Sequence, residues 1–125
     1  MAKFIITQKK KDEFVFNLVA SNGTVLGTSK IYRSVKSAQN GIESVRFNRN
    51  APMEDQTVAD IQVSSCPKWE LYEGERGEFR FRLKAMNGDI TLSSEEYVTK
   101  ANAKKAIESI RKGLEEAPVE IKDKK

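Results

Sequence analysis

"ASNGTVLGTSKIY", residues 20–32, is echoed 65 positions later by "AMNGDITLSSEEY", residues 85–97. The likeness is longer than these stretches, because residues 3–46 align with residues 68–111 without a gap and 15 of the 44 aligned pairs are identical. A likeness of this length at one constant spacing indicates an internal duplication. The chain is therefore built from two copies of one structural unit.

The segment before each Asn-Gly pair has a period of two. Phe14, Phe16 and Leu18 alternate with other residues in the first copy, and the second copy has the same three residue types at the aligned positions. This period predicts a strand with one buried face. The Asn-Gly pairs at 22–23 and 87–88 predict two-residue type I′ hairpin turns, because both residue types tolerate positive φ.

Flanking segments complete each unit. "KFIITQ" and "KWELYE" also alternate, so each copy begins with three predicted antiparallel strands. The apolar residues then adopt helical spacing, which predicts helices over residues 34–47 and 99–114. Asn40-Gly41 aligns with the middle of the second helix, so we interpret this pair as helical. "QTVADIQV", residues 56–63, and "APVEIKD", residues 117–123, alternate again and predict a fifth element, a strand, in each copy.

A unit of about 60 residues buries too little apolar surface to be comfortably stable alone. The sequence therefore predicts an α+β fold in which two β-β-β-α-β units share one antiparallel-rich sheet, related by a pseudo-twofold axis. Both helices are expected on one buried face of that sheet. We expect a single domain over 1–125, with repeat one at 3–63 and repeat two at 68–122.

The composition restricts the function. The chain of 125 residues contains no histidine, which removes the usual general base and the usual metal ligand, and it has a single cysteine. We therefore expect a non-catalytic protein with no catalytic residues, no metal site and no cofactor. The amino-terminal segment lacks the apolar run of a secretion signal, and no stretch is long enough to span a membrane, so a cytoplasmic protein with no membrane partner is expected.

The two aligned lines resemble a known family. Phe-x-Phe-x-Leu, Ala-x-Asn-Gly, Ser-x-x-Tyr and Gly/Ala-Ile-Glu-Ser occur in that order in both copies, and together they resemble the YegP-like family of uncharacterised bacterial proteins. The resemblance covers nearly the whole chain. It implies a duplicated β-β-β-α-β unit whose last strands are exchanged between the halves, and it implies no activity. The first copy departs from the pattern at Gly27, where the second copy has Leu92.

The best candidate binding surface is the open sheet face of the second copy. The alternation places Tyr72, Arg80, Arg82 and Lys84 on that face, together with Thr91. Aromatic and basic side chains on a sheet can stack on bases and contact phosphates. The alternative is a solvated charged face on which Glu70 and Asp89 act as cross-strand partners for the basic residues.

Partners are less constrained by the sequence. The matching face of the first copy is apolar, and exposed apolar patches usually mark contacts, so weak self-association, a protein partner or coverage by the linker region of the same chain is open. The net charge of +4 permits nucleic acid without favouring it. Two functions follow from the sequence: a non-catalytic interaction or structural module, and, as the alternative, a nucleic-acid-associated protein that uses the basic face. The apolar face of the first copy is formed by Ile5, Thr7, Val15, Asn17, Val19, Leu26 and Thr28.

Overall fold

The computed structural model describes residues 2–113 and 117–122. The order β-β-β-α-β occurs twice along the chain, as predicted. The strands and helices are β1 (Lys3–Lys10), β2 (Glu13–Val19), β3 (Val25–Thr28), α1 (Val35–Phe47), β4 (Met53–Asp55), β5 (Lys68–Glu73), β6 (Phe79–Lys84), β7 (Ile90–Ser93), α2 (Lys100–Gly113) and β8 (Val119–Lys122).

All eight strands form one mixed sheet in the order β4-β5-β6-β7-β3-β2-β1-β8. Neighbouring strands within each repeat are antiparallel, and β3 meets β7 antiparallel at the centre of the sheet. The two outermost pairs are parallel: β4 of the first repeat pairs with β5 of the second, and β8 of the second repeat pairs with β1 of the first. The fold is therefore α+β, with two helices and one sheet.

The Asn-Gly hairpins have a three-residue turn, so the predicted type I′ turn is wrong. The Ala20 amide donates to the Thr24 carbonyl at 2.8 Å, and the Gly23 amide donates to the Ala20 carbonyl at 2.9 Å. Gly23 has a φ of +88°, but Asn22 has no positive φ, whereas type I′ requires both. Asn22 instead accepts the Thr24 amide on its side-chain oxygen at 3.0 Å. The second hairpin has the same geometry.

Ser34 and Thr99, the first residues of the two predicted helices, cap them. Ser34 Oγ accepts the Ser37 amide at 3.1 Å, and Ser37 Oγ accepts the Ser34 amide at 3.2 Å, which forms a capping box. Thr99 Oγ1 accepts the Asn102 amide at 3.1 Å ahead of α2. Each side chain satisfies an amide that has no partner within the helix. Leu114, the last residue of the predicted second helix, lies outside the described residues.

Helix α1 continues through Asn40 and Gly41, which confirms the use of the repeat to assign this pair. Gly41 is buried, and a Cβ built on it would overlap the hydroxyl and ring of Tyr32. The Tyr32 ring in turn stacks on Phe16, with 5.9 Å between the ring centroids. The second repeat has Ala106 at the aligned position. The glycine is therefore required by the close approach of Tyr32 to the helix.

The last strand of repeat one lies earlier than predicted. Strand β4 spans Met53–Asp55, whereas residues 56–63 form no strand, so the strand predicted there is wrong. The Asp55 carboxylate accepts the Thr57 amide at 2.9 Å and the Thr57 hydroxyl at 2.6 Å. This local turn competes with the extended conformation and ends the strand. The last strand of repeat two, β8, lies within the predicted segment, whose final residue Asp123 is outside the described residues.

One apolar cluster forms the core. The buried side chains of both helices belong to the same cluster as the alternating residues of β1, β2, β5 and β6. Trp69, Phe4, Phe16 and Phe81 are the largest fully buried members. The predicted buried faces of β1, β2, β5 and β6 are therefore correct, and both repeats contribute side chains to one core.

Two aligned arginines connect the helices to the outermost strands. Arg46 in α1 donates from Nη2 to the Ala117 carbonyl at 2.6 Å, just before β8. Arg111 in α2 donates from Nη2 to the Ala51 carbonyl at 2.7 Å, just before β4. Each arginine thus holds a segment of the other repeat, and a charged donor makes these bonds stronger than neutral ones.

The repeats meet at the β3–β7 seam, where Thr28 pairs with its own counterpart Ser93. One residue before Thr28 on β3, a Cβ added to Gly27 would lie 2.7 Å from the Leu92 Cγ atom. Gly27 and Leu92 are aligned in the duplication, so equivalent residues face each other near the pseudo-twofold axis. The space at the seam holds one leucine side chain, which explains why the first copy has glycine there.

The apolar face of the first repeat is less exposed than the sequence suggested. Val15 is 6% exposed and Val19 is 9% exposed, so these two residues are covered within the chain itself, which is one of the coverings that the sequence left open. Both residues lie on β2, between β1 and β3, where cross-strand neighbours such as Lys3 and Val25 shield Val19. This face therefore offers no large apolar contact surface.

Candidate functional site: the charged face of the second repeat

The predicted binding residues lie together on strands β5 and β6. The antiparallel register pairs Tyr72 with Arg80 and Glu70 with Arg82. These residues alternate with the core residues of the same strands, so their side chains share the opposite face of the sheet. We call this surface the charged face; its residues are Lys68, Glu70, Tyr72, Arg80, Arg82 and Lys84.

Glu70 is the centre of the charged face. It is 2% exposed, and its carboxylate contacts Arg82 Nε at 2.5 Å, Lys84 Nζ at 3.1 Å and Lys68 Nζ at 3.3 Å. Burial alone would raise the pKa of Glu70, but the hydrogen bonds from Arg82 and Lys84 outweigh burial and hold the pKa below its usual value. Glu70 is therefore ionised and holds three cations.

A second buried carboxylate comes from the first repeat. Glu54 on β4 is 3% exposed and accepts from Lys68 Nζ at 2.8 Å, from Gln56 Nε2 at 2.6 Å and from the Ser64 amide at 2.8 Å. The hydrogen bond from Lys68, followed by those from Gln56 and Ser64, lowers the pKa of Glu54 to about 2. Glu54 of the first repeat thus binds Lys68 of the charged face, which belongs to the second repeat.

Glu54 was missed in the sequence because the strand that carries it was placed too late. The spacing of 65 residues aligns Glu54 with Val119, which lies in the correctly predicted last strand of repeat two. Extending the alignment beyond residue 46 would therefore have located β4. No local pattern marks this glutamate as buried, since charged residues at sheet edges are usually exposed.

Tyr72, Arg80 and Arg82 make further contacts on the charged face. The Arg82 guanidinium lies over the Tyr72 ring, 4.4 Å from its centroid, in a cation–π contact. Arg80 bonds to Glu78 at 3.1 Å and to Glu96 at 2.7 Å. Beside them is a cleft of about 400 Å³, lined by Tyr72, Gly74, Glu75, Arg76, Glu78, Arg80 and Glu96.

The charges of this surface balance. Each of the four cations of the charged face contacts a carboxylate of Glu54, Glu70, Glu78 or Glu96, so four positive groups meet four negative ones. Glu70 is thus a cross-strand partner, as the solvated-face alternative predicted. Asp89 is instead paired with Lys30 of the first repeat at 3.1 Å. Thr91 is buried and donates to the Leu83 carbonyl, so it is not part of the accessible surface.

Within residues 2–113 and 117–122, no three side chains of metal-ligating type lie close enough together to hold an ion. Neither helix in the described part of the chain has the length and apolar character needed to cross a bilayer.

Comparison with known families gives two matches within the chain. A family model described as "Domain of unknown function (DUF1508)" matches residues 10–55 and again residues 75–120. The second match begins and ends 65 residues after the first, since 75 − 10 and 120 − 55 are both 65. This agrees with the duplication spacing.

Curated proteins and solved structures are similar to this chain over most of its length. The UPF0339 protein PA0329 of Pseudomonas aeruginosa is 34% identical over 116 residues, which are 93% of this chain and 93% of that protein. The UPF0339 protein YegP of Escherichia coli K12 is 33% identical over 108 residues, 86% of each chain. The solution NMR structure of Escherichia coli YegP, described as a protein of unknown function, superposes with a TM-score of 0.78 at 28% identity, covering 99% of this chain and 95% of that one. That of UPF0339 protein SO3888 from Shewanella oneidensis superposes with a TM-score of 0.77 at 25% identity, covering 98% and 92%.

Proposed function

The chain belongs to the family of uncharacterised UPF0339 (DUF1508) proteins, and from that premise we propose that it is a non-catalytic interaction module of the bacterial cytoplasm. In this proposal the two repeats exchange their last strands and place both helices on one face of the sheet. The charged face on the other side is the contact surface, and its partner is a protein.

One observation carries the proposal: Arg82 is stacked on Tyr72 and bonded to Glu70. Arginine and tyrosine are among the residue types that most often dominate the energy of protein interfaces. Side chains that are already ordered lose less conformational entropy when a partner binds. A stacked and bonded Arg-Tyr pair is therefore a suitable centre for a protein contact.

The balance of charge supports a protein partner over a polyanion. A surface of alternating positive and negative groups complements another mixed surface, and such complementarity confers specificity. A phosphate group would have to compete with Glu70 for Arg82 and Lys84 and with Glu78 and Glu96 for Arg80. The nucleic-acid alternative stays a prediction, and the competition by these carboxylates is a cost that it has to overcome.

The proposal is tested by site-specific photo-crosslinking in living bacteria. A photo-reactive amino acid is placed at position 72 and, as a matched control, at position 7, since Thr7 aligns with Tyr72 in the duplication. We expect one protein to crosslink from position 72 and not from position 7. With that protein purified, Tyr72→Ala should weaken binding by about tenfold or more, a loss of about 1.4 kcal/mol, and Thr7→Ala should leave the affinity unchanged. Equal crosslinking from both positions, or an affinity indifferent to Tyr72→Ala, contradicts the proposal.

The alternative is tested by titrating a mixed-sequence single-stranded oligonucleotide at low and at physiological salt. If the charged face bound phosphates, each contact would contribute a slope of about 0.7 in log affinity against log salt. The variant Arg80→Gln/Arg82→Gln/Lys84→Gln would then reduce that slope. We expect no binding at physiological salt and no difference between this variant and the parent protein. Salt-dependent binding that the triple variant abolishes would replace the interaction module with the nucleic-acid function.

A further inference from the structure

Strand β8 is the outermost strand on one side of the sheet. All four of its residues are exposed, and Val119 and Ile121 are 36% and 50% exposed. An edge strand presents amide and carbonyl groups that can pair with another strand. The direction of those groups and the pattern of the side chains determine what kind of strand fits.

The outward-facing backbone groups of β8 can be identified from its parallel pairing with β1. The Phe4 amide donates to the Pro118 carbonyl at 2.8 Å, so the backbone groups of Pro118 face β1. Backbone direction alternates along a strand, and Glu120 therefore also faces β1, opposite Ile5. The amide and carbonyl of Ile121 consequently face away from the sheet.

The side chains of β8 are self-complementary. Suppose that a second β8 lies antiparallel to the first, with Ile121 opposite Ile121. The two isoleucines would then exchange both outward hydrogen bonds. Glu120 of each chain, which also bonds to Lys3 of its own chain at 2.6 Å, would lie opposite Lys122 of the other. These charged positions would be non-hydrogen-bonded pairs, in which side chains approach most closely. A single register thus joins two ion pairs, two hydrogen bonds and an apolar contact.

The other edge of the sheet is not available in the same way. Strand β4 has three residues, and Glu54 in its centre is buried and points into the charged face. The Ser64 amide, from the segment that joins the repeats, bonds to Glu54. Short edge strands with an inward-pointing charge resist pairing with another chain. A contact restricted to β8 joins two copies and then stops, because it is isologous.

We infer that two copies of this chain associate through antiparallel pairing of their β8 strands, centred on Ile121, to form a symmetric dimer with one continuous sheet. This goes beyond the proposed function and does not depend on it, because β8 is separate from the charged face. It also relocates the self-association that the sequence suggested, from the apolar face of the first repeat to the edge of the sheet.

The first test is sedimentation equilibrium of the full chain from micromolar to millimolar concentration. We expect a reversible monomer–dimer equilibrium. Ile121→Pro removes the outward amide but no hydrogen bond to β1, and proline is tolerated at such edge positions, so the monomer should keep its thermal midpoint while the dimer dissociation constant rises about tenfold or more. Tyr72→Ala is the control and should leave the dimer unchanged. A chain that stays monomeric throughout, or a dimer that Ile121→Pro does not weaken, overturns the inference.

The second test exchanges the charges. Glu120→Lys and Lys122→Glu each place like charges opposite one another in a homodimer, so each variant should self-associate more weakly than the parent chain. In an equimolar mixture of the two variants both cross-strand pairs are again opposite in sign, so heterodimers should form with near-parental affinity. This test does not rely on the proline variant remaining folded. Failure of the mixture to associate more strongly than either variant alone contradicts the Ile121 register.

Discussion

At the scale of single residues, Gly27 and Leu92 show how a duplicated sequence accommodates its own symmetry axis. The two positions are equivalent in the repeats, and they meet at the β3–β7 seam. Side chains at a twofold axis compete for the same space, and close-packed interiors tolerate little overlap. One copy must therefore carry a small residue wherever the other carries a large one.

Exchanging these two residues tests that explanation. Gly27→Leu should destabilise the protein by about 1–3 kcal/mol through overpacking, and Leu92→Gly should cost about 2–5 kcal/mol or more through the cavity that it leaves. The double variant Gly27→Leu/Leu92→Gly should be clearly more stable than the sum of the two losses predicts, when measured by urea unfolding. Simple additivity would show that the two positions do not share one space.

The buried carboxylates predict a particular dependence of stability on pH. The hydrogen bond from Lys68 leads the interactions that lower the pKa of Glu54 from 4.5 to about 2. A lowered folded-state pKa means that the ion pair stabilises the protein fully above about pH 4.5 and is lost as the pH falls towards 2. Burial would raise the pKa of Asp55, but its hydrogen bond from Lys100 at 2.5 Å, together with those from Thr57, lowers the pKa from 3.8 to about 2, so Asp55 contributes over the narrower window below about pH 3.8.

We therefore expect the thermal midpoint of the parent protein to fall steeply between pH 4.5 and 2. Glu54→Gln should be less stable at neutral pH and should lose less stability over that interval, because the variant has one fewer carboxylate to protonate. Glu95→Gln, at an exposed position, serves as the control and should follow the parent curve. A Glu54→Gln curve parallel to that of the parent would mean that Glu54 does not supply this dependence.

At the scale of single elements, α1 contradicts the usual ranking of helix propensities. Replacing a helical glycine with alanine normally stabilises a helix by about 1 kcal/mol. In α1 the added Cβ would overlap the Tyr32 hydroxyl. Gly41→Ala should therefore destabilise the protein, whereas in a Tyr32→Ala background the same change should cost much less, with Phe16 Cε2 left as the close neighbour at 3.1 Å from the added Cβ. The aligned substitution in α2, Ala106→Gly, should cost about the ordinary propensity difference, and urea unfolding of all four variants measures these free-energy changes.

The arginines of the two helices hold the outermost strands, and this role was not apparent in the sequence. Removing a charged hydrogen-bond donor typically costs about 1.5–3 kcal/mol. Arg46 donates to the Ala117 carbonyl just before β8, so Arg46→Met should increase amide hydrogen exchange in β8 while amides of β4 stay protected. Arg111→Met should have the opposite pattern. Equal effects of both variants on both strands would indicate global rather than local loosening.

At the scale of the whole molecule, the pairing of β4 with β5 and of β8 with β1 makes each repeat incomplete without the other. A chain divided after residue 60 should yield two fragments that are each largely unfolded, because neither can complete its part of the sheet or the shared core. Mixed in equal amounts, the fragments should regain the circular dichroism spectrum of the intact protein. Independent folding of either fragment would show that the shared core is dispensable.

The duplication, the first three strands of each repeat, both helices and the buried faces of β1, β2, β5 and β6 followed from the sequence alone. These features depend on local periodicity, and the second copy corrected the first at Asn40-Gly41. The sequence also assigned the side chains of Tyr72, Arg80, Arg82 and Lys84 correctly to one face, since alternation along a strand decides the side to which a residue belongs.

Only the tertiary structure decided which groups meet across the repeats. The burial of Glu54 beside Lys68, the contact of Gly27 with Leu92, and the bonds from Arg46 and Arg111 join residues that are distant in the sequence. Their positions depend on how two similar units associate, and no local period encodes that association. The charged face is balanced rather than basic for the same reason: besides Glu70 on β5, its carboxylates come from β4, from the turn before β6 and from the segment before α2, and folding brings these three to the cations.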